Sequence, residues 1–425
     1  MSLRVLALPI AVSAAICSPL AAQQTAPIHA LSGTLPSGAK WSAEVPAKWN
    51  GTLLLWSRGY SPDVGSPEAA ARGMRESLLA AGYAILGSDY GAGGWALAEA
   101  VPTQRAAVAA FAAAHGKPKR VIAWGYSMGG LVTTALAEQP RPVVHGALAM
   151  CASIGGAVGM MNMALDGAYA FRTLVAPDAG IRLVDIDDDR VNAKRVNDAL
   201  AVAMKTPEGR ARVTLAGVLG GIPGWTSRER PEPAPGDYEA QADEIGRSFA
   251  MGVFLPRADQ EQRAGGAFSW NTGVDYRKQL ALSGRRAMVE ALYRKAGLDL
   301  DAELARLNAG ERIAAKPSAI GYMVRHYTPN AKPNVPLLAV QTIGDGLTSP
   351  SLQRGYAEAA KGRDVKSVYV RGAGHCTFTP AVVLASIRFL DQRLERGKWG
   401  TAPAVFVSHT PPPMLRPFVR GRKGG

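Results

Sequence analysis

A single serine stands between glycines in Gly125-Tyr126-Ser127-Met128-Gly129, and Gly130 follows at once. A serine hydroxyl is a poor nucleophile at neutral pH. It attacks a carbonyl only if a base takes its proton, an acid orients that base, and N–H donors face the developing oxyanion. Ser127 closes the apolar run 120–127 and opens the helical stretch 128–139, so it falls on a strand-to-helix turn. Gly125 and Gly129 permit the crowded backbone of such a turn, which raises the hydroxyl at the C-terminal edge of a sheet. The helix that starts there favours negative charge at the same spot. A bare Gly-x-Ser-x-Gly frame is common, so the assignment rests on finding the partners.

The base must be one of six histidines. His29 lies near the start, His409 in the tail, and His115 at the end of a helix. His145 sits in a strand and reads as a satisfied core histidine, and His326 has no acid-bearing loop near it. His375, in Gly372-Ala373-Gly374-His375-Cys376, follows an apolar run and precedes the last helix, so its loop reaches the edge that carries Ser127. The acid should follow the preceding strand. Asp345 does so, between Gly344 and Gly346, whereas Asp364 precedes a strand and belongs to the other edge. Serine, acid, histidine is the chain order of this kind of site. One oxyanion donor is expected at the N–H of Met128, the other in the loop Ser57-Arg58-Gly59-Tyr60, from Tyr60 or Arg58. The Arg58 guanidinium has two readings, a clamp for a substrate carboxylate or an ordinary surface ion pair. Trp95, Trp225 and Trp270 are candidates for a cleft wall, although most tryptophans are core.

These residues need a sheet to hold them. The runs 51–57, 83–91, 120–127 and 143–153 are short, apolar and bounded by turn formers, as buried strands are. Helical stretches at 67–82, 102–116 and 128–139 separate them, with Pro67 and Pro102 at helix starts. Such alternation predicts a mostly parallel sheet covered by helices on both faces. The alternation stops at residue 154 and resumes at 334. Between them lie helical stretches at 191–205 and 276–297 and a proline-rich turn at 230–238. The expected organisation is a leader at 1–22, a sheet domain in two parts (23–153 and 334–400), a mainly helical insertion at 154–333, and a basic, proline-rich tail at 401–425, extended or mobile.

The leader has Arg4, an apolar stretch from Val5 to Ile16 and small residues near Ala22, the order found in an export signal. Its removal would leave two cysteines, Cys151 and Cys376, which read as one disulfide or as two buried thiols. Each follows a sheet strand on the side of Ser127, which favours the bond. The chain is 47% hydrophobic, enough for a large core, and carries a formal charge of +14. That excess favours acidic partners. No nucleic-acid recognition motif, Cys/His metal spacing or cofactor motif is visible. The leader's apolar stretch is short for a bilayer, and no other stretch is long and apolar enough to span one. No nucleic acid, metal, cofactor or stable membrane insertion is therefore expected.

With "GYSMGG", "TIGDG", "GAGHC" and the loop "WSRGY" in place, the sheet portions resemble the α/β-hydrolase family. The resemblance implies a Ser127–Asp345–His375 triad, an acyl-enzyme, and a cap formed by the insertion. Similar exported proteins often have histidine where this chain has Arg58. An exported, cationic serine hydrolase is similar to the bacterial poly(aspartic acid) hydrolases, which cleave amide links in a polyanion and include dimers. The resemblance therefore implies an acidic polymer as substrate and a homodimer. The rivals are a carboxylesterase acting on a neutral ester and a non-catalytic polyanion-binding protein.

Overall fold

The computed structural model describes residues 28–421. The expected leader lies outside them. The chain begins with two antiparallel strands, β1 (Ile28–Thr34) and β2 (Lys40–Pro46), that the apolar runs did not announce. β2 alternates, with Trp41, Ala43 and Val45 turned to the core. Next come β3 (Thr52–Ser57), the short helix α1 (Arg75–Ala80), β4 (Ala84–Ser88), α2 (Leu97–His115), β5 (Arg120–Tyr126), α3 (Met128–Ala137) and β6 (Gly146–Met150). The insertion supplies α4 (Gly156–Leu174), α5 (Asp189–Ala203), α6 (Pro207–Leu219), α7 (Tyr238–Val253), α8 (Ala258–Ala264), α9 (Tyr276–Leu282), α10 (Arg286–Lys295), α11 (Leu300–Ala309) and α12 (Pro317–Arg325). The sheet then resumes with β7 (Leu337–Gly344), α13 (Pro350–Ala359), β8 (Val365–Ala373) and α14 (Pro380–Arg396).

The strands form one sheet in the order β1-β2-β4-β3-β5-β6-β7-β8. Every pair from β4 to β8 is parallel, and only β1–β2 and β2–β4 are antiparallel. Successive side chains go to opposite faces. Leu53, Leu55 and Ala123 meet Phe111 of α2 and Leu131 of α3, while Leu54, Ile122 and Leu148 meet Leu78 of α1 and Ile387 of α14. Helices on both faces explain why these strands read as continuous apolar runs.

Three helical stretches differ from expectation, and one of them, 276–297, is broken into α9 and α10. Of 67–82 only α1 is helical, because the chain near Glu68 crosses β4 too closely: a Cβ on Gly87 would lie 1.8 Å from the Glu68 carbonyl oxygen. α2 starts before Pro102 and carries it inside the helix. The insertion has its own core, with Phe171, Phe249, Tyr276 and Leu304. α4 joins the two bodies, since Val158 and Met161 pack on the sheet side and Leu165 and Phe171 on the insertion side. In its described residues the tail is largely irregular but anchored. Val407 bridges to Tyr369, Met414 and Leu415 are buried, and Arg416 ion-pairs with Asp166 of α4 at 2.8 Å.

Candidate active site

Ser127 sits between β5 and α3 with φ 56° and ψ −123°, a conformation costly for a non-glycine residue. Backbone bonds hold it there. Its N–H donates to the Met150 carbonyl at 3.1 Å, and its own carbonyl accepts from Gly130 and Ser153. The glycines are required by close approach. A Cβ on Gly129 would lie 2.0 Å from the Ser57 carbonyl oxygen, one on Gly125 2.4 Å from the Gly129 carbonyl oxygen, and one on Gly130 2.5 Å from the Ala152 Cβ. The turn is thus wedged against the end of β3 and the start of the loop that follows it. Gly59 of that loop faces Ser127, with room for a Cβ at 3.5 Å from the Ser127 Cβ.

Asp345 follows β7 and is fully buried. Its Oδ1 accepts the N–H groups of Leu347 and Thr348, both at 2.9 Å, and its Oδ2 accepts the Thr348 hydroxyl at 2.9 Å. His375 follows β8, with its side chain 21% exposed. Its Nδ1 is 2.9 Å from Asp345 Oδ2. A carboxylate loaded with donors accepts the Nδ1 proton, which leaves the lone pair on Nε2. Nε2 lies 3.3 Å from Cys376 Sγ and makes no hydrogen bond to Ser127 Oγ. In unliganded sites such bonds are often long. The Cys151–Cys376 disulfide, with Cα atoms 5.3 Å apart, ties the histidine loop to the end of β6. Met150, to which Ser127 is bonded, is the residue before Cys151. Tyr126 at the end of β5 and Phe378 of the histidine loop also pack with tilted rings, 5.7 Å between centroids.

The other expected residues fall as follows. Met128 begins α3, so its N–H has no partner within the helix. Tyr60 lies in irregular backbone beside Gly59, its phenol exposed and pushed above its ordinary value by partial burial and by Asp259. Arg58 needs a correction, because its side chain is not free to clamp a substrate carboxylate. It is 8% exposed, stacks 4.6 Å from the Tyr90 ring, and donates to the carbonyls of Gly59, Asp89 and Ala92. It fastens the loop after β3 to the loop after β4. Trp95 is buried against α2, and its backbone N–H donates to Asp259 of α8 at 2.6 Å. Trp270 packs on Phe418 of the tail, and Trp225 bonds within its own loop at Ser227 and Arg230. Neither arrangement identifies a substrate contact. His145 is exposed rather than core, and its Nδ1 accepts the Val121 N–H at 3.0 Å. Asp364 is at the opposite sheet edge, held by Arg393 and Trp399.

The insertion presses directly on the acid turn. A Cβ on Gly344 would lie 2.7 Å from the Trp225 carbonyl oxygen, and one on Gly252 of α7 2.3 Å from the Gly346 carbonyl oxygen. Buried Glu244 fixes that contact by accepting the N–H groups of Thr226 and Ser227. Thr348 is the site residue that the sequence pattern did not reveal. Its hydroxyl lies within bonding distance of Asp345, His375 Nδ1 and the Cys151 carbonyl. Its place three residues after the acid, inside an Asx-type turn, was the available signal.

The strand order and the serine turn between β5 and α3 are those of the α/β-hydrolase fold. Over 406 residues the chain is 29% identical to the o-phthalyl amidase of Xanthobacter agilis, covering 86% of this chain and 87% of that one. No protein-family model matches the chain. Solved structures similar to it include a Pyrococcus furiosus esterase (14% identity, TM-score 0.40, 88% of this chain and 92% of that one). Feruloyl esterase B of Aspergillus oryzae is another (13%, TM-score 0.42, 88% and 82%).

Proposed function

We propose that this chain is a serine hydrolase of amide bonds that works through an acyl-enzyme. His375 Nε2 takes the Ser127 proton as Oγ attacks the substrate carbonyl. Asp345 holds the imidazole by Nδ1 and stabilises the imidazolium. The N–H groups of Met128 and Tyr60 receive the oxyanion, and the proton passes from His375 to the departing amine. Water, activated by the same nitrogen, then releases the acid. The observation that carries this reading is the 2.9 Å contact of His375 Nδ1 with a buried, fully loaded carboxylate.

Amide is favoured over ester by the match to an amidase over 86% of the chain. A phthalyl half-amide and poly(aspartic acid) both place the scissile amide near a free carboxylate, and the charge of +14 suits such anions. A small acidic acyl amide is preferred to a polymer, because the amidase that the chain matches is named for the phthalyl group and part of the insertion's positive charge is already engaged. Arg182, Lys194, Arg228, Arg230 and Arg286 each pair with a carboxylate. The disulfide supports an oxidising, exported setting.

A fluorophosphonate should label the protein and fail to label Ser127→Ala. In a panel of a phthalyl amide, poly(aspartic acid) and a neutral p-nitrophenyl ester, the phthalyl amide should give the highest kcat/KM. Labelling that survives Ser127→Ala would remove the mechanism. Preference for the neutral ester would leave the mechanism and replace the substrate reading with the carboxylesterase.

A further inference from the structure

A cavity of ≈ 240 Å³ lies between the insertion, the start of α13 and the tail. Ile343 and Ser349, on either side of the acid turn, contribute to its wall, but Ser127 and His375 do not. Most of the lining is carbon: Ile222, Trp225, Pro233, Pro412 and Leu415. One cation lines it, Arg285. Its Nη1 donates to the Ile222 carbonyl at 2.5 Å and its Nη2 faces Met288 Sδ at 3.5 Å. Among the described residues it has no carboxylate partner, unlike Arg286 beside it. Burial alone pushes its pKa down to about 10, so it remains charged at neutral pH. An unpaired, desolvated guanidinium is costly, and an anion supplied from outside would relieve that cost. The one carboxylate on the wall, Glu232, is held by Arg371. Ser349 and Ser351, at the positive end of α13, add hydroxyls on the sheet side.

We propose that this cavity is a second ligand site, separate from Ser127, which takes a small apolar carboxylate with its anionic end on Arg285. The guanidinium offers a fork of N–H donors to the two carboxylate oxygens, and the prolines, Trp225 and Leu415 cover the apolar body. A bound ligand would touch insertion, sheet and tail at once. The inference does not depend on the reaction at Ser127.

Calorimetric titration of the full chain carrying Ser127→Ala, with benzoate and with benzamide as its neutral isostere, tests it. Benzoate should bind at least tenfold more tightly than benzamide. Adding Arg285→Met should weaken benzoate tenfold or more and leave benzamide nearly unchanged, while Arg285→Lys should retain part of the preference. Equal binding of the two probes, or benzoate affinity indifferent to Arg285→Met, overturns the proposal. Should Arg285→Met fail to fold, thermal melts of the unsubstituted protein decide. A rise in Tm with benzoate and not with benzamide supports the site, and no rise with either overturns it.

Discussion

Single side chains here do chemistry only because other side chains fix their direction. Thr348 shows this most clearly. Its hydroxyl joins the acid, the histidine and the end of β6, and the residue is fully buried, so it is placed to orient Asp345. Thr348→Val keeps the shape and removes the hydroxyl. The expected result is a fall in kcat of about tenfold with little change in KM, the loss of about one hydrogen bond felt mainly in the transition state. Steady-state kinetics check it, and a rise in KM alone would assign Thr348 to substrate binding. The three residues of the proposed triad were legible because each follows an apolar strand at the same edge. Arg58 was misread for a physical reason. Its partners are carbonyls at Gly59, Asp89 and Ala92, and no residue pattern announces a carbonyl. Its interior loop contact predicts that Arg58→Met will impair turnover of charged and neutral substrates alike, whereas a carboxylate clamp would spare the neutral one. Comparing kcat/KM on the two substrates separates these cases.

Elements place those side chains through backbone contacts with no slack. α3 starts so close to the end of β3 that Gly129→Ala would drive a Cβ against two carbonyl oxygens, of Ser57 and Arg58. These atoms belong to paired backbone and cannot swing aside, so the variant should be insoluble or lack fluorophosphonate labelling. A soluble, labelled variant would show that the turn has room. The disulfide acts on the same edge. It spans 225 residues, and in the chain-entropy model a closure of that size stabilises by about 5 kcal/mol. Cys376→Ser should lower Tm sharply, and kcat should fall with it, since Cys376 adjoins the proposed base. The central strands were readable because burial on both faces leaves an unbroken apolar run. β1 and β2 were not, since a sheet margin half open to water carries only weak alternation. In the insertion, α5–α7 and α9–α11 pack on that body's own core while α8 and α12 pack with the sheet, and the break between α9 and α10 turns on one glycine, Gly284, with φ 68°.

At the scale of the whole molecule the tail is the strap that joins sheet and insertion. Its anchor is Arg416, which donates to both oxygens of Asp166 while the Tyr276 hydroxyl donates to Oδ1. Asp166 is 1% exposed, and burial outweighs these partners, raising its carboxyl to about 6. The native chain therefore binds a proton more tightly at this site than the unfolded chain does. The stability from this group is complete below the unfolded pKa and is lost as pH rises through about 6. A rise of that size in a carboxyl pKa corresponds to about 3 kcal/mol. Asp166→Asn has no such proton to lose. Urea unfolding of both chains between pH 4 and pH 7 should show the wild type losing up to about 3 kcal/mol relative to the variant as the pH rises. A constant difference across that range would mean that the carboxyl titrates alike in both states. Arg416→Met adds the complementary case. It leaves a buried carboxylate without its cation, a change that costs about 3–5 kcal/mol where such pairs have been broken. Because Asp166 can then take up a proton, the loss should be greatest near neutral pH and shrink toward pH 4. A loss that did not depend on pH would trace the strap to the packing of Met414 and Leu415 instead of to the ion pair.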